Sequence, residues 1–206
     1  EEITRAPPEV QDALISILSE KQIAIPELDT IVGAERGFNL VATANTRDRG
    51  VNEMSAALKR RFNVVQVPVV EDLDQEVRIV TQREAELRSD YDVGAPPPAE
   101  VAKLLVTLFQ ELRAGVTKDK KTKIKPPSAS LSTAEAIGVL FQSGILAQQF
   151  GDGEVRPRDV ARSVVGALSV EGGADLRVLD EYCETVAKGR GGPWREFYAA
   201  AKERLA

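Results

Sequence analysis

The sequence contains no histidine and only one cysteine, Cys183, among its 206 residues. Without histidine, the chain lacks the side chain that most often moves protons near neutral pH and most often ligates metal ions. A lone cysteine cannot form a disulfide within the chain, which favours a reducing, cytoplasmic setting. Any catalysis must therefore use carboxylates, amides, hydroxyls, lysine or arginine.

The sequence also lacks long apolar runs and a surplus of positive charge, the features by which membranes and nucleic acids are bound. No apolar run approaches the roughly 18 residues that indicate a membrane-spanning helix, and no signal peptide is visible. Positive charge is not in surplus either, since 27 lysine and arginine residues are outnumbered by 32 aspartate and glutamate residues, for a net charge of −5. We therefore expect no membrane partner, and the acidic balance argues against a general nucleic-acid partner.

The first part of the chain combines strand and helix patterns. Apolar residues recur there at helical spacing or in short continuous runs, and the runs are typical of strands buried on both faces. In order, the sequence predicts a helix over 9–20, short strands over 22–25 and 30–32, a buried strand over 38–44, a short helix over 53–60, a strand over 64–70 and a charged helix over 71–89.

Only helices are predicted after the breaker cluster Gly94-Ala95-Pro96-Pro97-Pro98. The first of them ends at Gly115, and a capping box formed by Ser132 and Glu135 starts the second. Pro157 starts a third, and two more follow over 174–188 and 193–205. The pattern therefore predicts half of an α/β domain followed by an all-α domain, with the boundary near 70–95.

Three separated segments carry the chemistry of this sequence. They are Glu1-Glu2-Ile3-Thr4-Arg5-Ala6-Pro7-Pro8-Glu9-Val10-Gln11, Leu40-Val41-Ala42-Thr43-Ala44-Asn45-Thr46 and Ser55-Ala56-Ala57-Leu58-Lys59-Arg60-Arg61-Phe62. The adjacent carboxylates of the first segment can bind a metal ion and orient a water molecule. The Asn45 amide can donate and accept hydrogen bonds at once, and the guanidinium groups of the third segment can neutralise phosphate charge. Singly, they are also explained by an acidic end segment, a turn that begins at asparagine and two surface arginines. No segment is therefore decisive alone.

In this order, the segments resemble the second half of an AAA+ ATPase core of the MoxR type, in which Asp-Glu-Ile-Asn-Arg-Ala-Pro follows the Walker B strand. The resemblance implies that Glu1, in place of the usual aspartate, contacts Mg²⁺ through water, and that Glu2 orients the attacking water. Asn45 would then be the sensor 1 residue at the γ-phosphate. Arg61, with Arg60 as the second choice, would be the arginine finger. ATP and Mg²⁺ are the implied cofactors.

The resemblance also implies a fold. It is α/β, the C-terminal half of a P-loop NTPase core, followed by an all-α helical lid. We predict this core over 1–70, a connecting helix and proline-rich linker over 71–95, the lid over 96–170 and a helical extension over 171–206. The hairpin predicted around 22–32 is similar to the helix-2 insert of the MoxR, magnesium-chelatase and McrB-like group.

Two departures from the family pattern are visible. No Gly-x-x-x-x-Gly-Lys-Ser/Thr motif, which cradles the phosphates, occurs in the 206 residues, and no apolar strand precedes Glu1. Because the sequence starts at Glu1 and its only methionine is Met54, we expect a piece of a longer protein that is inactive as an ATPase by itself. The second departure is Ala134, which occupies the position of the lid arginine called sensor 2.

The implied function is ATP hydrolysis by a ring-shaped homo-oligomer, a hexamer, that acts on a partner protein in the manner of a chaperone. The family often works with von Willebrand A-domain proteins, which makes such a protein the implied partner. Two other functions stay open: a non-catalytic interaction module derived from an AAA+ protein, and a McrB-like motor linked to nucleic acid. A basic run, Lys118–Lys125, could meet nucleic acid or an acidic partner, or form a solvated loop.

Overall fold

A computed structural model describes residues 2–44, 54–94, 96–128, 131–169 and 173–206. The chain divides into two compact units, Glu1–Pro68 and Val69–Ala206. The described part of the first unit contains α1 (Pro8–Glu20), β1 (Gln22–Ile25), β2 (Thr30–Gly33) and α2 (Ala56–Lys59). The second contains α3 (Leu73–Asp90), α4 (Ala99–Ala114), α5 (Thr133–Phe150), α6 (Pro157–Leu168), α7 (Gly173–Thr185) and α8 (Pro193–Leu205).

A helix and a hairpin organise the first unit. Pro8 occupies the first turn of α1, where its missing N–H costs no hydrogen bond, and Lys21 ends the helix in the left-handed region with φ of 53°. Strands β1 and β2 pair antiparallel with Gln22 opposite Gly33, and a 3₁₀ turn, Pro26–Leu28, connects them. The helix and the hairpin predicted from the sequence are therefore confirmed.

Two predicted strands are absent from the structure. Residues 38–44 and 64–70 have no strand conformation, and their side chains are largely exposed, as Val41 at 86% and Val67 at 85% illustrate. A strand leaves its backbone N–H and C=O groups unpaired until a neighbouring strand supplies partners. The described residues contain no such neighbours for these runs, so the two strand predictions are wrong and the predicted α/β core is not confirmed.

The second unit is a helical body with a continuous hydrophobic core. Helix α4 supplies the largest share of this core, and its apolar residues Leu104, Leu105, Leu108 and Leu112 are almost completely buried. Helix α3 packs on α4 and α5, and α6 packs on α5 and α8. The core also takes in Phe197 of α8, so buried residues of the helices from α3 to α8 belong to one cluster. The finer division into a lid and an extension stays a prediction.

The sequence signals for helix ends in this unit are confirmed. Ser132 accepts a hydrogen bond from the Glu135 N–H at 3.2 Å, and the Glu135 carboxylate accepts one from the Ser132 N–H, which completes the capping box of α5. Gly115 ends α4 with φ of 69°. A Cβ atom there would lie 3.2 Å from the Ile124 carbonyl oxygen, which further favours glycine. Across the described ranges, no helix is both long and apolar enough to cross a membrane.

Candidate functional site

The first two predicted segments lie against each other. Ile3–Arg5 forms a 3₁₀ turn, and Glu2 before it adopts φ of 48°. The Glu2 N–H donates a hydrogen bond to Thr43 Oγ1 at 3.0 Å, and the Ile3 N–H donates one to the Thr43 carbonyl oxygen at 2.9 Å. The structure thus brings Glu2 beside a residue that precedes Asn45 by two positions. Glu1 and Asn45 themselves lie outside the described residues.

The Glu2 carboxylate is accessible. It forms an ion pair with Arg5, and both side chains are substantially exposed, at 42% and 63%. An exposed ion pair of this kind contributes only about 0–1 kcal/mol, because water screens it. The carboxylate can therefore leave Arg5 for a ligand at little cost, which is compatible with the predicted role of orienting a water.

Arg60 and Arg61, the two residues predicted as the arginine finger, differ in their surroundings. Ser55 accepts a hydrogen bond from the Leu58 N–H at 3.2 Å and so caps the short helix α2, while the side chain of Leu58 is fully buried. Arg61 donates from Nε to Ser19 Oγ at 2.6 Å and from Nη1 to the Ala57 carbonyl oxygen at 2.7 Å. Sequence reasoning did not find the contact with Ser19, because 42 positions separate the two residues.

Arg60, by contrast, makes no side-chain hydrogen bond or ion pair within the described part of the chain. Both guanidinium groups are exposed. Among the described residues, α1 and α2 therefore hold Arg61 in one orientation, and no side chain restrains Arg60. A guanidinium that is held in place loses less side-chain freedom when it meets a phosphate.

The described residues do not form a complete magnesium–nucleotide site. Among them, no group of three or more acidic, cysteine or histidine side chains could hold a metal ion. The phosphate-cradling motif is absent from the 206 residues. Of the two predicted magnesium and water carboxylates, only Glu2 is described. Of the predicted site residues, the described part of the first unit presents Glu2, whose backbone N–H contacts Thr43 and whose carboxylate is accessible, and Arg61, whose guanidinium is oriented.

A separate apolar pocket in the first unit is open to solvent. It has a volume of about 570 Å³, and its lining includes Ile17, Ile23, Val32 and Phe38 from α1, the hairpin and the segment after it. Glu2, Arg60 and Arg61, the predicted catalytic residues that the structure describes, do not line it.

The second unit contains a buried polar cluster that sequence reasoning missed. The Glu76 side chain is fully buried on α3, and its carboxylate accepts hydrogen bonds from Arg113 Nη2 at 2.9 Å, Gln110 Nε2 at 2.5 Å and Thr133 Oγ1 at 2.8 Å. Burial raises the pKa of Glu76, but these hydrogen bonds and the positive charge of Arg113 outweigh it and leave the pKa below its usual range. The only signal in the sequence is that Gln110 and Arg113 are three positions apart on α4, which places them on one face.

This cluster lies at the start of α5, next to the predicted sensor 2 position. Arg113 Nη1 also donates to the Leu131 carbonyl oxygen at 3.1 Å, just before the cap residue of α5. Ala134 follows in the first turn of α5, and its side chain is exposed. An arginine thus lies close to this helix start, although it comes from α4 and its guanidinium is occupied by Glu76.

Comparison with known proteins identifies both units. Residues 1–62 match the family described as AAA domain (dynein-related subfamily), and residues 74–202 match the family described as YehL-like AAA+ ATPase C-terminal domain. The chain therefore belongs to the YehL-like AAA+ ATPases.

Two curated relatives show how much of a longer protein the chain resembles. It is 40% identical over 204 residues to the protein YehL of Escherichia coli (strain K12), a match that covers 97% of this chain and 56% of YehL. It is 29% identical over 117 residues to Midasin of Giardia intestinalis, which covers 54% of this chain and 2% of Midasin. No solved structure matches the chain. The chain thus spans little more than half the length of YehL.

Proposed function

We propose that the complete protein is a MoxR-like AAA+ ATPase, which hydrolyses ATP with Mg²⁺ as a hexameric ring and remodels a partner protein in the manner of a chaperone. Membership of the AAA+ ATPases supports the class of reaction. The observation that supports the site assignment is the backbone pairing of Glu2 and Ile3 with Thr43, because it holds the Glu2 backbone against the segment that leads to Asn45. A cytoplasmic protein with a von Willebrand A domain is the proposed partner.

In this proposal each residue has one task. Glu2 orients the water that attacks the γ-phosphate, Glu1 contacts Mg²⁺ through water, and Asn45 holds the water or the phosphate. Arg61 reaches the nucleotide of the neighbouring subunit. The phosphate-binding loop is supplied by residues of the complete protein that are not among these 206. When Mg²⁺ and ATP are bound, the metal ion neutralises phosphate charge.

Replacement of Glu2 tests the water-orienting role. Glu2→Gln in the complete protein keeps the size of the side chain and removes the charge that orients the water, so ATP should still bind while turnover stops. ATP binding and phosphate release are measured in parallel, and Arg5→Gln is the matched control because it removes the same ion pair. If Glu2→Gln retained wild-type turnover, the assignment of this segment would be wrong.

Replacement of Arg61 separates the ring ATPase from a non-catalytic module. Arg61→Ala should leave ATP affinity nearly unchanged and lower turnover by about 10³–10⁵. Two controls are available from the structure: Arg60→Ala, which removes the adjacent charge, and Ser19→Ala, which removes the hydrogen bond to Arg61 but keeps the guanidinium. If Ser19→Ala lowered turnover as much as Arg61→Ala, orientation by α1 would account for the effect. Equal, small effects of Arg60→Ala and Arg61→Ala would favour the non-catalytic module.

Mixed rings add a test of where Arg61 acts. A variant that lacks the phosphate-binding lysine but retains Arg61 should restore part of the turnover of Arg61→Ala, because each subunit supplies the group that the other lacks. The 206-residue chain alone should not bind magnesium–ATP appreciably in a calorimetric titration, since it has no phosphate cradle. Micromolar binding would contradict the proposal that another segment supplies that cradle.

A further inference from the structure

The loop over residues 116–125, called the lysine loop below, follows α4 and carries concentrated positive charge. Five lysines and one aspartate occur in the eight residues 118–125 of a chain whose net charge is −5. All five lysines are exposed. Within the described residues, four of them have no side-chain hydrogen bond or ion pair, namely Lys118, Lys120, Lys123 and Lys125. Most of the positive charge of this loop is therefore unneutralised.

Hydrogen bonds within the loop fix its backbone. The Thr117 N–H donates to the Thr122 carbonyl oxygen at 3.0 Å, and the Thr122 N–H donates back to Thr117 Oγ1 at 3.0 Å. The Ile124 N–H donates to the Gly115 carbonyl oxygen at 2.9 Å, and the Ile124 side chain is buried. The lysines therefore extend from an ordered platform, and a ligand would not have to bear the entropy cost of ordering the backbone.

The carboxylates nearest to the lysines along the chain, Asp119 and Glu111, accept hydrogen bonds that stabilise the loop backbone. Asp119 accepts hydrogen bonds from Thr117 Oγ1 at 2.6 Å and from the Lys121 N–H at 3.1 Å, and its pKa is lowered by them. Glu111 on α4 is buried and accepts from the Lys118 N–H at 2.9 Å and from Arg190 Nη2 at 2.6 Å. Like charges held close together repel each other, and Asp119 offsets only part of this charge, through an ion pair with Lys121 at 4.0 Å, so an anionic ligand would stabilise the loop.

We propose that the lysine loop is a docking site for an acidic, flexible segment of a partner protein. The charge is confined to a short loop on an acidic chain, so a short acidic peptide can contact it alone, whereas an extended polyphosphate would also meet the negative charge of the surrounding protein. The loop contains no aromatic residue on which a base could stack. Its cations are all lysines, which act as mobile point charges and suit irregularly spaced carboxylates. This inference does not depend on ATP hydrolysis.

Fluorescence anisotropy with the 206-residue chain tests the proposal. The probe is a fluorescein-labelled oligoglutamate of about a dozen residues, and a labelled DNA duplex of similar charge is the competing ligand. The test variant carries Lys118→Gln, Lys120→Gln, Lys123→Gln and Lys125→Gln. A matched control removes four exposed arginines of the same unit that have no side-chain partner in the described part of the chain, through Arg78→Gln, Arg177→Gln, Arg195→Gln and Arg204→Gln. Circular dichroism verifies that both variants stay folded.

We expect the loop variant to bind oligoglutamate at least about tenfold more weakly than the unmodified chain, and the control variant to bind it nearly as well as the unmodified chain. A variant with arginine at the same four loop positions should retain binding, since it keeps the charge, and added salt should weaken binding. Tighter, loop-dependent binding of the duplex would overturn the proposal in favour of a nucleic-acid site. Equal losses in both variants, or no binding of oligoglutamate at low salt, would overturn it as well.

Discussion

The two units differ in how they use apolar side chains. In the first, Val41, Val65 and Val67 are 75–86% exposed, and Leu58 is one of the few fully buried side chains among the described residues. In the second, the apolar face of α4 is enclosed by its neighbours, so that Leu105 and Leu108 have no exposed surface. The difference shows that apolar content alone does not produce a core. A helix satisfies its own backbone and needs only a packing surface, whereas a strand needs partners on its edges as well.

The largest expected effect concerns the polar cluster within the second unit. Arg113→Ala should destabilise the chain by about 3–5 kcal/mol, because it leaves the fully buried Glu76 carboxylate without its charge partner. Urea unfolding followed by circular dichroism measures the change. Arg177→Ala removes an exposed arginine that has no side-chain partner among the described residues and should change stability by less than about 0.5 kcal/mol. Similar values for the two variants would mean that the cluster does not hold α3, α4 and α5 together.

The next test compares the apolar residues of the two units directly. Leu108→Ala should cost about 2–5 kcal/mol, since it opens a cavity among buried side chains. Val65→Ala should cost less than about 0.5 kcal/mol, because Val65 is 75% exposed and buries little surface. The free energy of unfolding of both variants is measured under one set of conditions. A large effect of Val65→Ala would show that segment 64–70 packs against another surface in solution.

The dependence of stability on pH tests whether the ionised form of Glu76 stabilises the fold. Its pKa is lower in the folded chain than in the unfolded chain, so its ionised form favours the folded state. This contribution is complete above the unfolded pKa of about 4.3 and is lost as the pH falls through the folded pKa. Glu76→Gln should therefore lower stability at pH 7 and remove part of the loss below about pH 4.3. An unchanged acid-unfolding profile in this variant would contradict the assignment.

The smallest expected effect concerns Glu84, which lies on the same helix as Glu76. Glu84 is also buried, but its pKa is raised because burial outweighs the ion pair with Arg88 at 3.4 Å. Its protonated form favours the folded state, so its contribution is present below the unfolded pKa and is lost as the pH rises through the folded pKa. Glu84→Gln should stabilise the chain slightly at pH 7, measured by thermal unfolding at pH 7 and pH 4. The gain should shrink at pH 4, and a loss at pH 7 would contradict this account.

The local parts of the fold could be predicted from the sequence, and the long-range parts could not. Ser132 with Glu135, Gly115 and Pro157 determine helix ends through contacts a few residues away, and all four positions are confirmed. The prediction of strands over 38–44 and 64–70 was wrong, because a strand forms only beside neighbouring strands, and an apolar run does not specify these.

The candidate site shows the same limit. The resemblance selected Glu2, and the contact of its N–H with Thr43 spans 41 positions that no local pattern connects. Glu76 could not be separated from the other acidic residues of its charged helix, because its partners on α4 and α5 are 34–57 positions away. The roles of Glu1 and Asn45 stay predictions.

The ion pair between Glu111 and Arg190 has a consequence for the order of folding during synthesis. The two residues are 79 positions apart, and Tyr182 also donates to the Glu111 carboxylate at 2.6 Å. Until residue 190 has left the ribosome, the Glu111 carboxylate on α4 therefore lacks the arginine with which it pairs when it is buried in the folded chain. We expect the helices of this unit to associate loosely as they emerge and to close around Glu111 only after Arg190 has left the ribosome.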